Sequence, residues 1–174
     1  MSTAARAAEP AEAGALWSGP YAGALLSYGR VAGEGAGGAL LVGYGWRSGP
    51  WALGIEGDLT LGGFDGRAQG GRFETEALGG VRARVGYAFD RFVVYGAAGA
   101  AFASVEYARG GARDGATHFG WTLGAGAEAH LGGGVSARAE FLYVDLDRRG
   151  YRADREVSLA PDGGLARLGL NYRF

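Results

Sequence analysis

Large apolar residues stand at every second position through most of this chain. Between residues 119 and 131, for example, Phe119, Trp121 and Leu123 are each separated by one small or polar residue. Successive side chains of an extended strand point to opposite faces, so a period of two gives each strand one apolar face and one polar or very small face. The pattern therefore predicts an all-β chain.

The glycine content narrows the kind of β structure. The 36 glycines make up about a fifth of the 174 residues, against an average near 7%. They show no collagen period, and they lie among Val, Leu, Tyr, Trp and Phe, which argues against a disordered linker. Glycine is costly inside helices but is easily placed in bent strands and narrow barrels, where inward side chains must be small.

Eight stretches are predicted to be strands. In chain order they are Trp17–Arg30, Gly38–Arg47, Trp51–Gly62, Phe73–Phe89, Phe92–Tyr107, Thr117–Leu131, Val135–Leu146 and Gly164–Phe174. The first and the fifth do not alternate cleanly, and a β-bulge in the fifth would produce such a pattern. The sequence leaves open which face of these two strands points inward.

Short and long connections alternate between these strands. The short ones are Ser48–Pro50, Asp90-Arg91 and Gly132–Gly134, and the long ones are Val31–Gly37, Gly63–Arg72, Ala108–Ala116 and Asp147–Gly163. In an up-and-down sheet all tight turns then lie at one end with both termini, and all loops at the other, as in outer-membrane barrels. We therefore predict an eight-stranded antiparallel up-and-down transmembrane β-barrel.

Aromatic residues gather near both ends of the predicted strands. Near the short turns are Trp17, Tyr21, Trp46, Trp51, Tyr87, Phe89, Phe92, Tyr172 and Phe174, and toward the loops are Tyr28, Phe102, Tyr107, Phe119, Trp121 and Tyr143. Aromatic girdles at the two membrane–water boundaries are typical of membrane barrels. The strands, at about 10–15 residues, are also long enough for a tilted crossing of a bilayer.

The polar faces of the strands should then point into the barrel. Eight strands enclose a space just wide enough to be filled by side chains, and unpaired buried charges are costly, so a filled lumen requires balanced charges. The predicted lumen network comprises Glu56, Asp58, Arg82, Arg84, Glu128, His130, Arg138, Glu140, Arg167 and Asn171. The inward glycines leave room for the long arginines.

Three segments carry recognisable motifs: WSGPYAGALLSYGR (Trp17–Arg30), with the pattern W-x-G-x-Y-x-G, VRARVGYAFDRFVVYGAAG (Val81–Gly99), which is predicted to form a central hairpin, and the closing LGLNYRF. In their order and spacing they resemble the opening, central hairpin and end of small bacterial outer-membrane barrels of the opacity-protein and OmpA-transmembrane-domain type, especially a porin-like group of alphaproteobacteria. Pro20 departs from the motif. The resemblance implies an outer-membrane location and recognition of Tyr172 and Phe174 by the barrel-assembly machinery.

The first 13 residues differ in composition from the barrel region, which is expected to span residues 14–174. They are rich in Ala and Glu and are predicted to be flexible. Ala5-Arg6-Ala7 has the small-x-small shape of a signal-peptidase site, but no apolar region precedes it. The segment is therefore either a remnant of an export signal or a plain Ala-rich tail.

No residue pattern points to an enzyme, a cofactor or a metal. The two histidines, His118 and His130, are separated by about 40 Å if the strand rises ~3.4 Å per residue, and the chain has no Cys. Residues 145–156 resemble a calcium loop, but Arg149 occupies a ligand position, so a solvated loop is the better interpretation. A net charge of −1 gives no reason to expect a nucleic-acid partner.

Three functions fit a barrel of this kind. The favoured one is a monomeric structural or envelope-interaction protein that contacts outer-membrane lipid and lipopolysaccharide. The alternative is a narrow small-solute channel, for which eight strands leave little space. A soluble lipocalin-like ligand-binding barrel is the third, but it requires apolar residues inside and polar residues outside.

Overall fold

The computed structural model describes residues 16–31, 34–68, 71–109, 112–146 and 162–174 of the chain. It contains eight strands: β1 (Gly19–Arg30), β2 (Glu34–Ser48), β3 (Trp51–Ala68), β4 (Gly71–Phe89), β5 (Phe92–Arg109), β6 (Ala112–Gly132), β7 (Val135–Leu146) and β8 (Asp162–Arg173). The predicted N-terminal segment, most of the last predicted loop and most of the calcium-like pattern lie outside the described residues, and the loop's last two residues, Asp162 and Gly163, belong to β8.

The eight strands form one closed barrel in sequence order. Every neighbouring pair is antiparallel, and β1 pairs with β8 from Tyr21↔Arg173 to Gly29↔Leu165. The predicted fold class is thus confirmed. Closure leaves neither β1 nor β8 with a free edge, so backbone polar groups are paired around the wall.

Helices do not contribute to this architecture in the described ranges. No described segment is a helix with the length and apolar character needed to cross a membrane.

Three tight turns join β2 to β3, β4 to β5 and β6 to β7, and we call the end where they lie the turn end. Positive φ angles at Gly49, Asp90, Gly133 and Gly134 are those of tight hairpins, where glycine or Asp tolerates the left-handed region. The opposite end is called the loop end. The prediction of short turns between these strands is correct.

The strands extend further at the loop end than the sequence predicts. The described residues among those assigned to the loops Gly63–Arg72 and Ala108–Ala116 instead continue the β3–β4 and β5–β6 hairpins, and β2 already begins at Glu34. The predicted loop boundaries were therefore wrong. Backbone hydrogen bonds between two strands that are already aligned can propagate through polar and glycine-rich residues, which have no alternating pattern to reveal them.

Apolar side chains cover the outside of the barrel wall. The large exposed hydrophobic residues include Leu26, Leu40, Val42, Ile55, Leu59, Val81, Val85, Phe102, Phe119, Leu123, Phe141, Leu168 and Leu170. A soluble ligand-binding barrel would have the opposite arrangement, whereas a membrane barrel presents such an apolar band to lipid.

The interior is layered along the barrel axis. Near the turn end a cluster of buried apolar residues contains Trp17, Ala52, Ala88, Val93, Tyr95 and Ala97. Toward the loop end a second cluster contains Val31, Leu78, Ala101, Ala103, Leu142, Val144, Leu146 and Leu165. Charged side chains from five strands lie between these two apolar layers.

Two predicted girdle residues are in fact inside the barrel. Trp17 and Tyr21 are buried in the interior, so their assignment to the outer aromatic girdle was wrong. Trp46 and Trp51 at the same end are exposed on the outer wall, as predicted. Gly43 on β2 is paired with Tyr21 on β1, and because it has no side chain it leaves space inside the barrel for the Tyr21 ring.

Candidate functional site: the charged lumen

The charged lumen is built from four carboxylates and four guanidinium groups. They are Glu56 and Asp58 on β3, Arg82 and Arg84 on β4, Glu128 on β6, Arg138 and Glu140 on β7, and Arg167 on β8. Each of the eight takes part in at least one ion pair inside the barrel. Strand alternation produces this arrangement, because residues two apart on one strand point to the same face.

Glu56 is the centre of the charged lumen. Its carboxylate accepts two hydrogen bonds from Arg138, at 2.7 and 2.8 Å, and one from Arg84 at 2.8 Å. The Tyr21 hydroxyl donates to the same carboxylate at 2.6 Å, and Arg82 approaches it at 3.4 Å. Glu56 is 1% exposed, so these bonds replace water almost completely.

The remaining carboxylates are each held by at least one arginine. Glu140 accepts from Arg82 at 3.0 Å and is also bound by Arg138. Glu128 accepts from Arg84 at 3.1 Å. The network is continuous, because Arg84 and Arg138 each contact two different carboxylates.

Asp58 and Arg167 extend the network toward the loop end. Arg167 donates to Asp58 at 2.8 Å and to the Thr60 hydroxyl at 2.9 Å. Arg82 lies 3.2 Å from Asp58, which links this pair to the centre. The formal charges of the eight groups sum to zero, as desolvated charges require.

Small residues beside the arginines provide the space for their side chains. The register places Gly54 opposite Arg84, Gly99 opposite Arg82 and Gly169 opposite Arg138. A Cβ atom at Gly54 would lie 2.9 Å from Arg84 Cγ, closer than real contacts allow. At Gly99 and Gly169 an added Cβ would instead meet backbone atoms of a neighbouring strand, so glycine is required on the inner face both by the arginines and by close approach of the strands.

The structure joins eight of the ten predicted lumen residues by ion pairs, and it places Asn171, whose side chain lies beside Glu128, and His130 at the turn end of the interior. Asn171 is buried and packs against Gly23, whose added Cβ would meet its Oδ1 atom. His130 is half-buried, and its backbone N–H donates to the Arg91 carbonyl at 2.8 Å. Within the described part of the chain, the His130 side chain makes none of the network's contacts.

Two tyrosines in the network were missed by sequence reasoning. The Tyr95 hydroxyl donates to Glu140 at 2.9 Å, and its ring lies 4.0 Å from the Arg84 guanidinium carbon. The two-residue turn between Phe89 and Phe92 was a usable signal for Tyr95, since it pairs inward Gly86 with Tyr95. Tyr21 had no such signal, because its register depends on the connection after β1.

The geometry of the lumen is that of a filled core. Among the described residues, a cavity of about 10 Å³ lies beside Asp58, Arg82 and Arg167, and another of about 10 Å³ lies beside Trp17, Arg84 and Arg173. A volume of this size admits about one water molecule. Among the described residues, no cluster of three or more His, Asp and Glu could hold a metal ion.

The last two aromatic residues of the chain lie on the outer wall at the turn end. Tyr172 is 48% and Phe174 76% exposed, and their rings pack edge to face with centroids 5.0 Å apart. They continue the lipid-facing stripe of Leu168 and Leu170 on β8. Any protein that recognises these rings would approach from outside the barrel.

Comparison with known proteins gives consistent matches. The family model for the outer membrane protein beta-barrel domain matches residues 1–174. The chain is similar to the 22 kDa outer membrane protein of Rhizobium leguminosarum bv. viciae, with 32% identity over 172 residues that cover 95% of this chain and 82% of the relative.

Solved structures share the fold at low sequence identity. The crystal structure of Ail, the attachment invasion locus protein of Yersinia pestis, matches with a TM-score of 0.62 and 19% identity, covering 90% of this chain and 97% of Ail. The Neisserial surface protein A structure matches with a TM-score of 0.58 and 16% identity, covering 90% of this chain and 98% of that protein.

Proposed function

Since this chain belongs to the outer membrane protein β-barrel family and lies in the bacterial outer membrane, we propose that it is a structural and envelope-interaction barrel whose lumen conducts no solutes. The filled lumen is the observation that carries this proposal. The central charges are paired with one another, and apolar layers lie on both sides of them. A continuous water path would require breaking several of these pairs at once.

Planar-bilayer recording tests whether the barrel conducts. We expect refolded protein to give no openings above the leak of the protein-free bilayer, because each cavity beside the network holds about one water molecule. A larger porin inserted in the same way serves as the positive control. Reproducible single-channel steps from the refolded protein would replace the proposal with a narrow small-solute channel.

Lipid is the first partner that the outer wall supports. Its apolar side chains match the hydrocarbon of a bilayer, and the exposed Trp46, Trp51 and Phe92 at the turn end suit a membrane–water boundary. With the turn end toward the periplasm, the loop end meets the lipopolysaccharide of the outer leaflet. We propose that the barrel is a monomer in the outer membrane.

The barrel-assembly machinery is the second proposed partner, through the C-terminal strand. Tyr172 and Phe174 present their rings on the outside of β8, where a binding protein could reach them before the barrel closes. In this proposal Phe174 is both an interface anchor and an assembly signal.

Deleting Phe174 should reduce insertion in cells much more than refolding in detergent. The expected reason is that refolding needs only the strand pairing, whereas insertion in cells also needs recognition of the terminal ring. Heat-modifiable migration on gels measures folding in both settings. Phe92→Ala, which removes another exposed aromatic ring at the turn end, is the matched control and should affect both settings equally. Equal losses on deleting Phe174 would refute the signal role.

A further inference from the structure

The segment just before β1 enters the barrel instead of leaving it. Trp17 is only 3% exposed and packs in the turn-end cluster with Ala52, Ala88 and Val93, joined by the partly buried Leu16. The other tryptophans, Trp46, Trp51 and Trp121, are about half exposed on the outer wall. Trp17 is therefore the only tryptophan of the described residues that lies inside.

Arg173 on β8 covers the buried aromatic rings of β1 and its leading segment. Its guanidinium carbon lies 4.6 Å from the centroid of the Tyr21 ring and 5.9 Å from that of Trp17. Guanidinium groups at such distances are attracted to the faces of aromatic rings. Arg173 also donates a hydrogen bond to the Gly19 carbonyl at 3.2 Å. The first and last strands are thus tied by side chains as well as by their ladder.

The backbone conformation and the small residues near Trp17 allow its side chain to lie inside the barrel. Gly19 has a φ of 102°, in the left-handed region that favours glycine, and this conformation lets the chain turn into the barrel at the turn end. At Gly45 on β2, an added Cβ would lie 2.5 Å from the Trp17 carbonyl oxygen and 3.0 Å from Arg173 Nη1. Gly19 is therefore required by its backbone conformation, and Gly45 by close packing at this end.

The pairing of β1 with β8 differs from the other seven pairs, because the two strands are not consecutive in the chain and no connection joins them at either end. Only the ladder, the Phe174 N–H donated to the Pro20 carbonyl at 3.1 Å, and side chains hold this seam. We propose that Trp17 is a stopper that seals the turn end of the lumen and that its contact with Arg173 locks the β1–β8 seam against reopening.

Tryptophan fluorescence tests the position of the stopper. A variant with Trp46, Trp51 and Trp121 replaced by Phe leaves Trp17 as the sole emitter, and its partner variant keeps Trp46 alone. In vesicles containing brominated phospholipid we expect strong quenching of Trp46 and little of Trp17, and aqueous iodide should also quench Trp17 poorly. Two results would overturn the stopper. One is that brominated lipid quenches Trp17 as strongly as Trp46, and the other is that iodide quenches Trp17 as strongly as free tryptophan.

A double-mutant cycle on unfolding rates tests the lock. We expect Trp17→Ala to speed unfolding in denaturant about tenfold, since the buried ring and its cation contact are lost, and Arg173→Gln to speed it less. In the Trp17→Ala background, Arg173→Gln should have a smaller further effect than in the parent protein, because its contact with Trp17 is already lost while those with Tyr21 and Gly19 remain. For the control pair Trp46→Ala and Arg173→Gln, the factors by which the two single variants speed unfolding should simply multiply in the double variant. Independent effects at Trp17 and Arg173 would overturn the lock, and if Trp17→Ala does not fold, Trp17→Leu, which fills the space without an aromatic face, completes the cycle.

Discussion

Replacing Glu56 with glutamine should lower the free energy of unfolding of the barrel by about 3–5 kcal/mol, the usual cost of removing one partner from a buried ion pair. The Glu56 carboxylate is bonded by Arg84, Arg138 and Tyr21. Glutamine has nearly the same shape but no charge, so it leaves the guanidinium groups buried with three carboxylates for four arginines. Denaturant unfolding in lipid vesicles, followed by heat-modifiable gel migration, measures the change.

Two further variants separate loss of charge balance from loss of a carboxylate as such. Asp90→Asn changes an acid to its amide in an exposed turn, and asparagine tolerates the φ of 43° found there, so its cost should stay within about 0.5 kcal/mol. The double variant Glu56→Gln/Arg138→Gln restores equal numbers of acids and arginines. Its cost should be clearly less than the sum of the two single costs, because the residues are in contact.

A cost near zero for Glu56→Gln would have a functional meaning. It would indicate that water solvates the carboxylate and its arginines, which is incompatible with a sealed lumen. Such a result would favour the small-solute channel, and planar-bilayer recording of the same protein would then be expected to show openings.

The wall of the barrel could be predicted where charge marks the inner face. On β3, β4 and β7, acids and arginines alternate with large apolar residues, as in Glu56 next to Ile55 and Arg82 next to Val81. Because side chains alternate between the two faces of a regular strand, one charged position assigns the residues around it, as far as the register shifts at Leu61/Phe64 on β3 and Thr75/Ala77 on β4. The two-residue turn after Phe89 carries that assignment to β5, although this strand alone is ambiguous.

Trp17 and Tyr21 show what the local pattern cannot determine. An aromatic residue near a strand end suits a membrane girdle and an apolar plug equally well, and β1 has no charged residue before Arg30 at its far end to mark its inner face. Their direction depends on how β1 pairs with β2 and β8, which closure of the whole barrel decides. The full length of the β3–β4 and β5–β6 hairpins was missed for a related reason, since backbone pairing near the loop end has no side-chain signature.

An arginine that faces lipid should lower the free energy of unfolding nearly as much as Glu56→Gln. Leu168 lies on the outside of β8, 65% exposed, at the level of the charged lumen because its neighbour Arg167 pairs opposite Glu140. Leu168→Arg should therefore place a charge near the bilayer midplane and lower the free energy of unfolding by about 2–4 kcal/mol. The measurement is denaturant unfolding in phospholipid vesicles.

The matched control is the same substitution at the turn end. Leu131 is similarly exposed, at 60%, but it directly precedes the turn between β6 and β7, where an arginine reaches water. Leu131→Arg should thus cost about 0–1 kcal/mol, the value near a membrane interface. The difference between the two variants measures depth in the membrane, because both replace an exposed leucine on the same wall. Equal costs would mean that the level of the charged lumen does not lie at the centre of the bilayer.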